Sequence, residues 1–238
     1  MSLLQAGCTN NVKQSKRNKV DEPIKVIFEE SADDDSIYNR CSEEFVSLIK
    51  QPDEKQFIEI VNELSFADKY TESLLYCLVA ANKFEFDEAK IGFAFCLTYS
   101  LNIPNIGRNS KVIALYYLNK GGFTSKHRSG KRVVERFESS SKDDIDLIVP
   151  KITSKSSVIQ RLKAGCIMGS VDDYKSLKEK LYNDKKYVFL LYYSYIMADR
   201  YDYLPAKEDV IAIITRFYKE NNLGPLDKDT KYFCSFFE

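Results

Sequence analysis

Hydrophobic side chains recur every three or four positions from about residue 36 to the end of the chain, which is the spacing of amphipathic helices. The first stripe ends before a proline and consists of Tyr38, Cys41, Phe45, Leu48 and Ile49. The second stripe, within residues 54–64, consists of Phe57, Ile60, Val61 and Leu64. Together they predict a first helical hairpin.

The same period predicts a second hairpin over residues 71–82 and 88–100. Its second helix begins with a small residue and continues with apolar residues at i+4 and i+7, and this arrangement recurs near residue 206. The six positions are Ala89, Phe93, Cys96, Ala206, Val210 and Ile213. A small residue at the first position lets neighbouring helices approach closely. A further helix is predicted over residues 111–120, ending at Gly121.

One stretch of eleven residues, 80–90, returns 117 residues later at 197–207. Three positions are identical, and four consecutive positions keep their chemistry: Lys or Arg, Phe or Tyr, Glu or Asp, and Phe or Tyr. Each copy follows a Leu-Leu-Tyr sequence and reads as a helix, a short aromatic turn and a second helix. The pattern predicts an all-α fold in which helix hairpins form a solenoid-like repeat array over residues 36–238.

Two segments carry a resemblance to a known family. The first combines Ala-Lys-Ile-Gly-Phe-Ala-Phe at residues 89–95 with a later Lys111-x-x-Ala114-x-Tyr116-Tyr117-x-x-Lys120-Gly121. A similar spacing of residues occurs at 161–175, where Ser170 and Asp173 are predicted to cap a helix. These segments resemble Sel-type repeats, short relatives of the tetratricopeptide repeat. Over residues 71–218 the resemblance implies stacked helix pairs that serve as a protein-binding scaffold.

The N-terminal residues 1–35 are predicted to form a flexible segment before the helical domain. Residues 9–19 are polar, basic and without a hydrophobic period. Just before them, Ala6-Gly7-Cys8 resembles the end of a bacterial lipoprotein signal. That resemblance implies lipidation of Cys8 and a periplasmic protein tethered to a membrane, while a chain without the lipid is predicted to be cytoplasmic.

Composition supports the helical prediction, and the balanced charges give the chain no overall electrostatic field. The chain has 16 Tyr and 15 Phe but only 9 Gly and 6 Pro, which favours helices packed through aromatic faces over a turn-rich β-sandwich. Its 35 Lys and Arg residues balance 35 Asp and Glu residues. A charged partner must therefore be recognised by a local patch, and nucleic acid is not the expected partner.

Metal and cofactor sites are not predicted. The six cysteines are widely separated, and His127 is the single histidine, so no zinc set is complete. Cys77, Cys96 and Cys166 lie within apolar helical patterns, where thiols are expected to behave as small buried hydrophobic groups.

The stretch with the strongest charge bias lies between Glu88 and Glu135. It contains eight Lys and Arg residues and no acidic residue. One interpretation is a docking surface for an acidic partner. Its proposed contact residues are Arg108, Lys111, Tyr116, Lys120, Lys126 and Arg128. The alternative is that acidic residues from elsewhere neutralise this stretch. The candidates are Asp143, Asp144, Asp146, Asp172 and Asp173.

No catalytic motif is present, and the glycine-rich run near Gly130 lacks the spacing of a phosphate-binding loop. We therefore predict a non-enzymatic scaffold that presents a concave aromatic and basic face to another protein. Analogy with lipid-anchored Sel-type proteins suggests a toxin-neutralising immunity protein as one specific form. Two alternatives stay open: a helical enzyme centred on His127 or a buried carboxylate, and a nucleic-acid-binding helical protein.

Overall fold

A computed structural model describes residues 35–66, 73–97, 106–122, 131, 134–135 and 156–238, together with the backbone of 25–26 and 149–150. Ten α-helices lie in these residues. The first five are α1 (Asp35–Lys50), α2 (Glu54–Phe66), α3 (Leu74–Lys83), α4 (Asp87–Cys96) and α5 (Ser110–Lys120). The second five are α6 (Val158–Ile167), α7 (Val171–Asn183), α8 (Leu190–Asp199), α9 (Leu204–Glu220) and α10 (Lys228–Cys234).

The other regular elements are short. A 3-10 turn, Tyr187–Phe189, leads into α8. Two extended dipeptides, β1 (Lys25–Val26) and β2 (Val149–Pro150), pair in parallel. The predicted all-α class is confirmed. The solenoid-like stacking of hairpins, and the boundary between a flexible segment and a domain at residue 36, stay predictions.

Helices α3 and α8 form the centre of the core. Residues 74–82 of α3 are all buried, and so are all ten residues of α8. A helix that is apolar on every side can be satisfied only by neighbours on every side, so the amphipathic helices pack around these two. As the sequence predicts, the thiols of Cys77, Cys96 and Cys166 are buried in the interior.

The two sets of five helices correspond to one another at a separation of 117 residues. Helices α2 and α7 begin at residues 54 and 171 and end at residues 66 and 183. Helices α4 and α9 begin at residues 87 and 204. The buried faces of α2 and α7 also match. They consist of Phe57, Ile60 and Leu64 in α2, and of Tyr174, Leu177 and Leu181 in α7.

The turns inside the two related stretches have the same backbone geometry. The Phe86 amide donates to the Ala80 carbonyl at 3.1 Å, and 117 residues later the Tyr203 amide donates to the Met197 carbonyl at 3.0 Å. The residue before each amide has a left-handed backbone, with φ of 58° at Glu85 and 55° at Asp202. The stretch that the sequence repeats is therefore a specific helix–turn–helix connection.

An aromatic contact accompanies each turn. The ring centroids of Phe57 and Phe86 lie 6.0 Å apart, and those of Tyr174 and Tyr203 lie 5.8 Å apart. In both cases the contacting ring belongs to the helix before the hairpin, α2 for Phe57 and α7 for Tyr174. At the start of α7 the Ser170 hydroxyl accepts a bond from the Asp173 amide at 3.3 Å, which confirms the predicted cap.

Candidate functional site

Helix α5 carries four of the predicted contact residues, either along its length or next to its first turn. Tyr116 and Lys120 lie in the helix, Lys111 lies in its first turn, and Arg108 lies two residues before it. The other predicted positions, Lys126, Arg128, His127 and the lipidation residue Cys8, lie outside the described residues.

The N-terminus of α5 is held by α8. The Asp199 carboxylate accepts hydrogen bonds from the backbone amide of Asn109 at 2.8 Å and from its side chain at 2.6 Å. The Tyr195 hydroxyl donates to Asp199 at 3.2 Å and lies 2.8 Å from the Ser110 hydroxyl. Burial raises the pKa of Asp199, and the bonds from Asn109 and Tyr195 oppose that rise.

The middle of α5 is joined to the end of α3 and to α10. The Asn82 side-chain amide donates to the Tyr117 hydroxyl at 2.9 Å and to the Thr230 hydroxyl at 3.0 Å. Burial raises the pKa of Tyr117 above its ordinary value, so this phenol stays neutral. Asn82 lies one residue before the end of α3, and Asp199, 117 residues later, is the last residue of α8. Both polar side chains form hydrogen bonds with the α5 segment.

The C-terminal half of α5 contacts α10 through an acidic residue. The Tyr116 hydroxyl donates to Asp229 at 2.6 Å, and the Lys120 ammonium donates to the other oxygen of the same carboxylate. The Tyr116 ring also lies 4.4 Å from the ring of Tyr232, measured between centroids. The structure therefore brings two predicted contact residues together, around a carboxylate that sequence reasoning did not single out.

Lys120 has a perturbed environment at this junction. Desolvation lowers its pKa, and the positive charge of Lys90 adds to that effect. The negative charges of Glu85 and Asp227 act in the opposite direction. The ammonium is thus a structural ion-pair partner of Asp229 more than a free cation.

Arg108 and Lys111 lie at the opposite end of α5 from Lys120. Lys111 and Lys120 are nine positions apart, which corresponds to about 14 Å along the axis and about half a turn around it. Arg108 is exposed and Lys111 is partly exposed. Within the described residues neither side chain forms an ion pair. The predicted contact residues therefore divide into two cations near the N-terminus, without ion-pair partners among the described residues, and an ion-paired group near the C-terminus.

The outward stripe of α5 also includes apolar groups that the sequence analysis did not select. Val112 is 53% exposed, and Leu115 is partly exposed. The helical period contained a signal for both, because they fall outside the buried positions of the helix. Those positions are Ser110, Ile113, Ala114, Tyr117 and Leu118.

The predicted neutralisation of the basic stretch occurs in part, but with different acids. Lys90 pairs with Asp87 at 2.7 Å and Lys120 pairs with Asp229, while Lys131 is 3.8 Å from Glu135. Of the acids named from the sequence, Asp172 and Asp173 make no ion pair with this stretch in the part of the chain that the structure describes. The other three named acids lie outside that part.

A buried carboxylate also occurs in the second set of helices. Asp209 accepts bonds from Lys178 at 2.6 and 2.8 Å and from the Tyr174 hydroxyl at 2.7 Å. The Tyr174 hydroxyl lies 2.9 Å from that of Ser194. Both oxygens of Asp209 are therefore engaged, and the arrangement resembles a satisfied structural network more than an acid or base open to substrate.

Neither a metal site nor a membrane-spanning helix occurs in the described residues. Across the described ranges, no group of three or more His, Cys, Asp or Glu side chains is arranged to hold a metal ion. None of the described helices has both the length and the apolar character needed to cross a bilayer. Comparisons with family models, curated proteins and solved structures find no match to this chain.

Proposed function

We propose that the chain is a non-enzymatic scaffold that binds a protein with an acidic surface through the outward face of α5. We call this surface the α5 face and define it by Arg108, Lys111, Val112, Leu115 and Tyr116. The observation that carries the proposal is the exposed Val112 beside two cations that lack ion pairs within the described residues. An apolar centre with a charged rim is typical of protein interfaces.

The rigidity of α5 supports the same proposal. Its N-terminus is bonded to Asp199, its middle to Asn82 and its C-terminal half to Asp229. A helix held at three levels loses little conformational freedom on binding, so more of the contact energy appears as affinity. The absence of acidic residues in α5 itself favours a negatively charged partner.

The test is a charge reversal on the α5 face. Full-length protein carrying Arg108→Glu and Lys111→Glu is compared with wild type in quantitative co-purification from the native host. The matched control carries Lys55→Glu and Lys175→Glu, which changes net charge equally at exposed sites on α2 and α7. We expect recovery of the specific partner to fall at least about tenfold with the α5 variant, equivalent to about 1.4 kcal/mol. Unchanged recovery, or an equal fall with the control, would contradict the proposal.

Lipid anchoring and toxin neutralisation are finer proposals that rest on the resemblances alone. Mass spectrometry of the protein from its own cell tests the first, because lipidation of Cys8 adds a diacylglyceryl mass to the N-terminal peptide. A secreted toxin among the partners recovered through the α5 face would support the second, and a partner of another class would remove it.

A further inference from the structure

A cavity of about 330 Å³ lies at the C-terminal end of α9, and none of its lining residues belongs to the α5 face. Its volume is at the lower end of the range of small-molecule sites. The wall combines the largely buried Tyr218 and the apolar groups of Pro225 and Leu226 with polar side chains. These are Thr215, Lys219 and Asn222.

The cavity depends on a feature that distinguishes the two sets of helices. Helix α9 has 17 residues, whereas the corresponding α4 has 10. Thr215, Tyr218 and Lys219 all lie in the additional part of α9. The larger helix therefore provides the cavity wall in the second set of helices.

The loop after α9 has a defined backbone. Asn222 and Gly224 adopt left-handed conformations, with φ of 54° and 79°. The Leu223 amide donates to the Tyr218 carbonyl at 3.0 Å, which closes the helix end. Pro225 follows directly and restricts the chain further. The wall opposite α9 is therefore preformed.

The Tyr218 side chain is fixed by a buried hydrogen-bond network. The Tyr218 hydroxyl donates to Asp227 at 2.7 Å, and the Thr230 hydroxyl donates to the same oxygen at 2.9 Å. The other Asp227 oxygen accepts from the Thr230 amide at 2.8 Å. The Asp227 carboxylate is thus occupied by internal donors, and no acidic side chain belongs to the wall.

Two lysines from different helices approach the cavity. Lys219 belongs to the wall and is exposed. The Lys83 ammonium, at the end of α3, lies 4.0 Å from the point where a Cβ on Gly224 would stand. Neither lysine forms an ion pair with the residues that the structure describes. The opening therefore has two cations without ion-pair partners among the described residues, beside the apolar groups of Pro225 and Leu226.

We propose that this cavity binds a small amphipathic anion, with an apolar body against Pro225 and Leu226 and an anionic group near Lys219 and Lys83. Free metabolites and anionic side chains of a partner share this chemistry. The proposal does not depend on the α5 face.

Phenyl phosphate is a suitable probe, because it joins one aromatic ring to one anionic group. Titration into the isotope-labelled full chain, followed by amide chemical shifts, should give saturable changes at residues 215–226. Inorganic phosphate has only the charge and benzyl alcohol has only the apolar ring. Each should bind at least about tenfold more weakly than phenyl phosphate.

Substitutions separate this site from general surface charge. Lys219→Met and Lys83→Met keep the apolar stems and should each weaken phenyl phosphate binding several-fold. Lys231→Met is the matched control, because Lys231 is exposed on α10 and is not part of the cavity wall. Thermal unfolding verifies that each variant is folded.

Three outcomes would overturn the proposal. The first is the lack of saturable shifts at residues 215–226. The second is equal affinity for phenyl phosphate and for either of its halves. The third is weakening by Lys231→Met as large as that by Lys219→Met. If the probe binds as expected, displacement of bound phenyl phosphate is then measured with an acidic, aromatic peptide and, separately, with a metabolite extract. Displacement by the peptide indicates a partner protein as the natural source, and displacement by the extract indicates a free metabolite.

Discussion

Asn82 and Asp199 are equivalent residues with different chemistry, and each is the last buried residue of its helix. Asn82 donates its side-chain amide to two hydroxyl groups, whereas Asp199 accepts from an amide, a side-chain amide and a phenol. The side-chain oxygen of Asn82, Oδ1, has no hydrogen-bond partner among the described groups. The same position therefore forms hydrogen bonds in opposite ways in the two sets of helices, by donation from Asn82 and by acceptance at Asp199.

The Asp199 carboxyl should make stability depend on pH. Burial raises its pKa in the folded protein, so the folded state holds the proton more tightly than the unfolded chain. The stabilising contribution of Asp199 is then largest in acid and falls as pH rises through the ordinary value of about 3.9 towards the raised value. Asp199→Asn should consequently gain stability relative to wild type over that interval, by less than about 1.4 kcal/mol per pH unit.

Urea unfolding of wild type and Asp199→Asn at pH values from about 3.5 to 7 measures this difference. Asp202→Asn is the internal control, because the hydrogen bond from Lys207 lowers the pKa of Asp202. Its difference from wild type should change in the opposite direction with pH. A pH-independent difference for Asp199→Asn would show that the carboxyl has the same pKa in the folded and unfolded states.

At the scale of elements, the two helix–turn–helix connections retain a left-handed residue that is not glycine. A left-handed backbone costs an L-residue roughly 1–2 kcal/mol, and aspartate tolerates it better than most residues. Asp202 therefore suits its turn, whereas Glu85 occupies an equivalent place with an unfavourable side chain. The difference makes the two turns a natural pair for comparison.

Glu85→Gly should stabilise the protein by about 1 kcal/mol, because glycine adopts the left-handed conformation without steric cost. Asp202→Gly should give a smaller gain, since aspartate is already tolerated and the substitution removes the 2.5 Å ion pair with Lys207. Unfolding in denaturant measures both changes. Glu85→Ala is the control that removes the carboxylate but keeps the strain. Loss of stability with Glu85→Gly would mean that the Glu85 side chain has a stabilising role.

For the whole molecule, contacts between the two sets of five helices are made by helices far apart in sequence. Helix α5 of the first set is bonded to Asp199 of the second, and α10 of the second set is bonded to Asn82 of the first. Aromatic rings from the two sets also pack against one another in the core. The ring centroids of Phe93 and Phe233 lie 5.5 Å apart, and those of Tyr76 and Phe217 lie 6.5 Å apart. The two sets share one core and should unfold together.

Asn82→Ala tests this cooperativity. The substitution removes bonds to Tyr117 and Thr230 at the junction of the two sets, and it should lower stability by about 1–3 kcal/mol. Calorimetry should show one transition at a lower temperature, and hydrogen exchange should accelerate in α3 and α8 alike. Two separate transitions would show that the sets of helices fold independently.

The accuracy of the sequence predictions follows the range of the interactions involved. The buried stripe of α2, the cap at Ser170 and the related turns depend on neighbours within a few residues, and the structure contains all three. The pairing of Lys120 with Asp229 spans 109 residues, and no local pattern indicates it. The candidate site could be predicted only as a set of residues on α5, without their partners.

The hydrophobic period and the duplicated stretch by themselves determined that this chain is helical, where several helices begin and end, and that one connection occurs twice. These properties follow from backbone hydrogen bonds and side-chain spacing within single elements. Only the tertiary structure decided that α3 and α8 lie at the centre, that Tyr116 and Lys120 meet on one carboxylate, and that the longer α9 borders a cavity. Such features depend on which helix surfaces are left uncovered after all the helices have packed. The packing is set by contacts between residues far apart in sequence, so no single segment determines it.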